Sequence, residues 1–296
     1  MTRLMDILRA MRVNQWTKNL VVLAAFVFAF GDKTASISPY TLTRVAAAFV
    51  LFCLASSGIY LINDIRDLAA DRLHPTKRFR PIAAGRVTVP TARGLAALLI
   101  ALALTGSLWV SPLFAVVVPA YVLMQFVYTF WLKRIALVDV FIIALGFVLR
   151  ALGGGVAIQV HISPWLLVCA FLLALFLALC KRRHEKLMVE SSDDTRACLE
   201  EYDTKLLDQL IAIVSASTIV SYAIYTLTPD TVKKFGTSLL STTIPFVMFG
   251  IFRYLDLVYR KEGGGRPEQT LLTDRVLIVD LALYGLTIMA IFAFLR

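Results

Sequence analysis

Apolar residues run along this chain in nine stretches of about 17 to 24 positions, separated by short segments dense in charged side chains. About 20 apolar residues in an α-helix span a hydrocarbon core. The pattern therefore predicts nine transmembrane helices, near residues 14–31, 44–62, 94–110, 112–131, 137–158, 164–180, 209–228, 236–259 and 275–295. The turn between the third and fourth is very short, around Ser111 and Pro112. The opening segment "MTRLMDILRAMRVNQWTKNL" is basic and amphipathic. It lacks the short apolar core and small-residue cleavage site of a secretory signal, so it reads as an interfacial helix leading into the first span. No linker, low-complexity tract or short-period repeat breaks the pattern. The expected fold class is all-α: a polytopic bundle with a polar cavity on its cytoplasmic side, formed by one integral-membrane domain over residues 1–296.

Composition agrees with a membrane protein. Of the 296 residues, 59% are hydrophobic and only 17% charged, against about 25% charged in soluble domains, and the mean hydropathy is +0.77. With the N-terminus inside, 24 of the 30 Lys and Arg fall on the cytoplasmic face. They lie before residue 19, between Arg66 and Arg93, at Lys133 and Arg134, between Lys181 and Lys205, and between Arg253 and Arg275. The opposite face holds Lys33, Arg44, Lys233, Lys234 and Arg296. The positive-inside rule then places the N-terminus in the cytoplasm and the C-terminus outside, in a multi-pass protein of the inner (plasma) membrane. This bias, with attraction to anionic membrane lipids, accounts for the net charge of +10. Nucleic acid is excluded as a partner, because the basic residues are scattered over five loops instead of forming one module.

Cys53, Cys169, Cys180 and Cys198 have no metal-like spacing and read as small apolar residues in or beside spans. His74, His161 and His184 lack ligand spacing too. "RRHEK" is no zinc-protease motif, since no second His follows its Glu by four residues.

One segment carries concentrated chemistry: "YLINDIRDLAADRLHPTKRFRPIAAG", residues 60–85. If the second span continues as a helix, a rotation of about 100° per residue gathers Asn63, Asp64, Asp67 and Asp71 within about one quadrant of its surface. Like charges on one arc repel unless a cation screens them. Mg²⁺ takes hard oxygen ligands and bridges one or two carboxylates to substrate phosphates. The alternative is a solvated helix end whose acids pair with Arg66 and Arg72. Beyond the acids, Lys77, Arg78 and Arg80 offer donors to phosphate oxygens, the complement that a Mg²⁺-diphosphate needs.

With these motifs the chain resembles the UbiA superfamily of membrane prenyltransferases, nine-helix bundles with an aspartate-rich motif after the second span. The likeness runs through "QWTKN", "NDIRDLAAD", "YTFWLKR" and "GFVLRALGGG". It implies Mg²⁺ held by Asn63, Asp64, Asp67 and Asp71, with Asp64, Asp67, Asp71 and Lys133 as the catalytic set. A second acidic motif of DxxxD type normally follows the sixth span. Here that place reads "CKRRHEK", so Lys181 and Glu185 take the i,i+4 positions with Arg182 and Arg183 between them. Exchanging a carboxylate for cations favours a substrate richer in phosphate.

In this the chain looks like the decaprenyl-phosphate phosphoribosyltransferase branch of the superfamily, which makes the lipid-linked pentose donor for cell-wall arabinan. That likeness implies 5-phosphoribosyl 1-diphosphate as soluble substrate and polyprenyl (decaprenyl) phosphate as lipid substrate. Lys77, Arg80, Lys133 and Arg134 are then candidate donors to the diphosphate, and the cations after span six, Lys181, Arg182 and Arg183, give a ribose 5-phosphate its own pocket.

Further positions complete the expected substrate-binding set. Asn14 and Lys18, one α-helical turn apart, face a phosphate or anchor the interface beside Trp16. Tyr128 reaches a substrate oxygen or sits in the aromatic belt. Asp139 and Arg150, costly inside a span, face a polar interior as part of an ion-pair network. Gly153, Gly154 and Gly155 serve close packing or a local helix break. Glu201, Tyr202, Asp203 and Asp208 read first as a solvated helix, with Tyr202 or Asp203 reaching the site as the alternative; Tyr202 joins the substrate-binding set on that alternative. "KEGGGRPEQ" reads as a turn. A homo-oligomer stays open. Two other readings stand beside the preferred one: a prenyl diphosphate:aromatic acceptor transferase, and a lipid-phosphate transporter or scaffold.

Overall fold

The computed structural model describes residues 3–32, 38–190, 201–260, 265 and 267–294. Lys33, Arg196, Cys198 and Arg296 lie outside them, as does most of the turn expected at 261–269. The described residues are helical, with no strand among them. They divide into two compact units. The first comprises Met1–Phe26, Ser38–Leu132 and Leu149–His161; the second comprises Val27–Ile37, Lys133–Val148 and Ile162–Arg296.

Helix α1 (Arg3–Ala10) is amphipathic and leads into a 3-10 helix, Val13–Leu20, which passes into α2 (Val21–Gly31). The first span was expected as α-helix from residue 14, so its opening half is more tightly wound than predicted. In a 3-10 helix residues four apart lie about 120° from each other. Asn14 and Lys18 therefore do not share a face; Asn14 is exposed and Lys18 half-buried. Trp16 donates from Nε1 to Ser57 Oγ at 3.0 Å, tying this segment to the helix beside it.

Helix α3 (Pro39–Arg66) starts behind a capping box at Ser38 with Pro39 at its first position, which suits a residue with fixed φ and no donor. It packs on α5 (Val89–Val110). The buried positions Ala92, Ala96, Leu99 and Ala103 recur at helical spacing along α5, and small residues let two backbones approach where lipid gives no hydrophobic drive. A Cβ at Gly58 or Gly106 would press on Ile100 or Leu51. Helix α6 (Phe114–Phe130) tolerates Pro119 inside it, as membrane helices do when neighbours satisfy the freed carbonyl. Helix α7 (Val138–Ala157) runs unbroken through Gly153, Gly154 and Gly155. A Cβ on Gly154 would overlap the Val22 carbonyl oxygen, and one on Gly153 the Phe52 ring, so these two glycines serve packing and not a break.

The second unit is built on α8 (Pro164–Glu190), α9 (Thr204–Leu227), α10 (Pro229–Phe235), α11 (Ile244–Arg260), α12 (Pro267–Thr273) and α13 (Arg275–Phe294). Its core gathers Phe176, Leu179, Leu207, Ile211, Tyr254 and Leu277.

Eight described helical stretches are long and apolar enough to cross a membrane, counting Val13–Gly31 and Leu239–Arg260, each a 3-10 segment continued by an α-helix; α6, at 17 residues, is the shorter apolar helix where the fourth span was expected. The nine expected spans thus have nine counterparts, and the chain is an integral membrane protein. Several are longer than the hydropathy pattern indicated. The second runs to Arg66 and the sixth to Glu190, because helical hydrogen bonding continues past the point where the sequence turns polar.

Candidate functional site

Within the first unit, α3 ends at Arg66 and Asp67 forms a joint (φ −88°, ψ 6°) before the short α4 (Leu68–Leu73). The single helix carrying all four polar groups is therefore two helices. Asp64 and Asp71 nonetheless converge. Both carboxylates are buried, and Arg80 Nη1 donates to Asp64 Oδ1 at 3.2 Å and to Asp71 Oδ2 at 2.6 Å. Asp64 Oδ1 also accepts from Arg12 Nη2. Arg12 stacks its guanidinium over Tyr60, 5.0 Å from the ring centroid. Arg12 holds φ 53° at the junction of α1 and the 3-10 helix, a left-handed conformation uncommon for a residue with a Cβ.

Asn63 and Asp67 are half-buried beside this pair. Lys77 is half-buried and Arg78 exposed, in a 3-10 turn Lys77–Phe79, with Arg78 over the Phe79 ring. The alternative pairing of the acids with Arg66 and Arg72 does not occur. Arg66 donates to the Phe130 carbonyl and Arg72 to that of Ala83, while Arg12 and Arg80 take the carboxylates. In the sequence Arg12 contributes only to the topological bias of charge. No local spacing relates position 12 to position 64, so sequence periodicity had no means of finding it.

The donor set can be tested against Mg²⁺. Two buried carboxylates that contact one guanidinium nitrogen offer hard oxygen donors of the kind Mg²⁺ takes. No group of three or more His, Cys, Asp or Glu placed to hold a metal occurs among the described residues. That fits Mg²⁺, which keeps several waters and binds through one or two carboxylates plus substrate phosphates. It does not fit an all-protein cage.

Deeper in the same unit, Arg150 of α7 is buried. Its Nε donates to Asn19 Oδ1 at 2.6 Å and its Nη2 to the Tyr121 hydroxyl at 2.7 Å. Asn19 passes the network on to Cys53 Sγ and Ser56 Oγ, each at 3.2 Å. Tyr128 is half-buried on α6, whereas Lys133 follows in a separate 3-10 turn, Leu132–Arg134; the two are not on one helix.

Within the second unit a different network forms. Asp139 is fully buried and accepts from Arg182 Nε at 2.6 Å and from the Tyr202 hydroxyl at 2.7 Å. Arg182 also pairs with Glu185. Arg183 pairs with Asp208 at 2.5 Å and lies over the Tyr259 ring. Asp139 and Arg150 thus belong to separate networks, although one helix carries both. Arg182 and Arg183, expected as phosphate donors, have protein carboxylates as partners. Lys133 and Lys181 are half-buried, Arg134 exposed. Burial raises the Tyr202 phenol well above its ordinary value, and its hydrogen bond to Asp139 raises it further, so it remains a neutral donor through the physiological range. Glu201 and Asp203 are exposed.

Residues 20–269 match the model of the UbiA prenyltransferase family. The decaprenyl-phosphate phosphoribosyltransferase of Mycolicibacterium smegmatis is 39% identical over 291 residues, covering 94% of this chain and 90% of that protein. The protein of the same name from Corynebacterium glutamicum is 38% identical over 96% of this chain and 86% of its own length. Among solved structures, a UbiA homolog from Archaeoglobus fulgidus bound to DMAPP and Mg²⁺ superposes with a TM-score of 0.72. It is 17% identical, with 97% of this chain and 99% of that one covered, a likeness of fold.

Proposed function

Because the chain belongs to the UbiA prenyltransferase family, we propose that it transfers 5-phosphoribose from 5-phosphoribosyl 1-diphosphate to polyprenyl (decaprenyl) phosphate, releasing diphosphate. The observation that carries the reading is the buried pair Asp64 and Asp71 meeting at Arg80, in a chain 39% identical to a protein of that activity along nearly its whole length. Residues 1–296 act as one integral-membrane domain in this reading, with the reaction on the cytoplasmic side.

Asp64 and Asp71 would hold Mg²⁺, with Asn63 and Asp67 as the neighbouring positions of the same motif; the ion when bound would neutralise diphosphate charge. Arg80 and, behind it, Lys77 and Arg78 donate to diphosphate oxygens. Lys133 donates to a substrate phosphate oxygen, with Arg134 and Lys181 as further cations for phosphate; Asn14, Lys18 and Tyr128 are assigned to substrate contacts. Arg182, Arg183, Glu185 and Tyr202 are assigned to the same substrate-binding set, the two arginines with carboxylate partners of their own.

The ribose C1–O bond to diphosphate breaks and its electron pair leaves with the diphosphate, while an oxygen of the lipid phosphate forms the new bond to C1. Donors fixed before the charge develops stabilise it most, because they need no reorganisation during the step. The acceptor phosphate is already largely ionised near neutral pH, its second pKa being about 6, so no general base is required. The polyprenyl chain stays among lipid tails, which explains why the enzyme is built into a bilayer. The product serves as precursor of the lipid-linked arabinose donor for cell-wall arabinan.

The test uses purified protein in detergent with ribose-labelled 5-phosphoribosyl 1-diphosphate, decaprenyl phosphate and Mg²⁺. Label is expected in the organic phase, and a chelator such as EDTA is expected to abolish transfer until Mg²⁺ is restored. Label remaining in water while a prenyl diphosphate is consumed with an aromatic acceptor would overturn the reading in favour of the usual family reaction.

A further inference from the structure

The segment joining α6 to α7 contains a conformation that its own residues disfavour. Leu137 has φ 66°, and Val138 N–H donates back to the Ala136 carbonyl at 2.8 Å. A three-residue turn closed about a positive φ is rare for a residue with a Cβ. Leu137 is exposed, so core packing does not impose it. The restraint comes from the segment that precedes α9. Leu137 N–H donates to the Tyr202 hydroxyl at 2.7 Å, and Ala136 N–H to Glu201 Oε2 at 3.4 Å. The Tyr202 proton is directed to Asp139 Oδ1 at 2.7 Å, and Arg182 Nε holds the other oxygen of Asp139 at 2.6 Å. One hydroxyl thus accepts from the turn and donates to a carboxylate two residues further on, and it is fixed in both directions. Tyr202, Asp139 and Arg182 are at most 4% exposed. A ring there for packing alone would need no hydroxyl.

We propose that Tyr202 is a positioning residue whose hydroxyl clamps the turn at Leu137 and so fixes the backbone that presents Lys133, four residues upstream, to the substrate. The inference rests on the reading that Lys133 donates to a substrate phosphate oxygen. Asp139 and Arg182 aim the hydroxyl, and Glu201 holds the preceding amide.

The test is a kinetic cycle on the full chain in detergent, with 5-phosphoribosyl 1-diphosphate and decaprenyl phosphate. Tyr202→Phe keeps the ring and removes both hydrogen bonds. It is expected to lower kcat about 10- to 100-fold, the scale of a small misplacement of a catalytic group, with KM for the soluble substrate changed less than about twofold. Lys133→Ala is expected to cost more. In the Lys133→Ala background, Tyr202→Phe is expected to cost nothing further, because the group it positions is gone. Losses that multiply in the double variant overturn the clamp and leave only a structural tyrosine. Full turnover by Lys133→Ala overturns the proposal through its premise. That result is distinct from a crippled Lys133→Ala beside a fully active Tyr202→Phe, which overturns the clamp alone. Leu137→Pro gives an independent route should Tyr202→Phe fail to fold. It forbids a positive φ and removes the donor at an exposed position, and it must show the same loss and the same non-additivity; unimpaired turnover there also overturns the proposal.

Discussion

Arg80 places one nitrogen against two acids, 3.2 Å from Asp64 Oδ1 and 2.6 Å from Asp71 Oδ2, so a single guanidinium offsets the repulsion of two buried carboxylates. Arg80→Ala removes that offset together with a donor to the diphosphate. It is expected to lower kcat/KM by about 10²-fold, the usual scale for losing one preorganised donor. Arg80→Lys keeps a charged nitrogen for the two acids but lacks the remaining guanidinium N–H groups that would reach the diphosphate, so only partial recovery is expected. Wild-type kinetics from Arg80→Ala would remove Arg80 from the site. At this scale the acids and Arg80 were legible as candidates, since they lie within 17 positions of one another along the chain, but that Arg80 itself joins Asp64 and Asp71 across the break at Asp67 was not. Arg12, Asn19 and Tyr121 were not legible as partners, because their contacts cross 29 to 131 positions of sequence. A side chain's local pattern reports its own face and not what meets it.

Among the elements, the break at Asp67 and the 3-10 winding of Val13–Leu20 both depart from the regular helix that hydropathy implies. Hydropathy counts apolar side chains, and it does not register which carbonyl each amide selects. The glycines of α7 are different. Their clustering in an apolar span indicated close packing, and Gly154 does abut the Val22 carbonyl oxygen. Gly154→Ala forces a methyl group against backbone, which cannot rotate away as a side chain end can. Overpacking of this kind costs about 1–3 kcal/mol, so a lowered apparent Tm in detergent is expected. An unchanged Tm would show that the α2–α7 contact is loose. The cations after the sixth span illustrate the converse: "KRRHEK" indicated where charge lies, but besides Glu185 one turn along the same helix, Arg182 meets Asp139 and Arg183 meets Asp208, both brought in by other helices.

For the whole molecule, the distribution of Lys and Arg makes a prediction about sidedness. In a Cys198→Ser background, a membrane-impermeant maleimide added to intact cells is expected to label Lys233→Cys and to spare Arg78→Cys until the membrane is opened; both positions are exposed. The reverse pattern would invert the topology. The helical character of the described residues and the order of the apolar segments among them followed from sequence alone, because lipid offers backbone groups no hydrogen-bond partners and every crossing segment must satisfy its own and be apolar. Composition and local period are sufficient for that. Which arginine meets which carboxylate, and that Leu137 adopts a left-handed turn under Tyr202, was decided only by tertiary structure, since those contacts depend on helices distant in sequence arriving at one place.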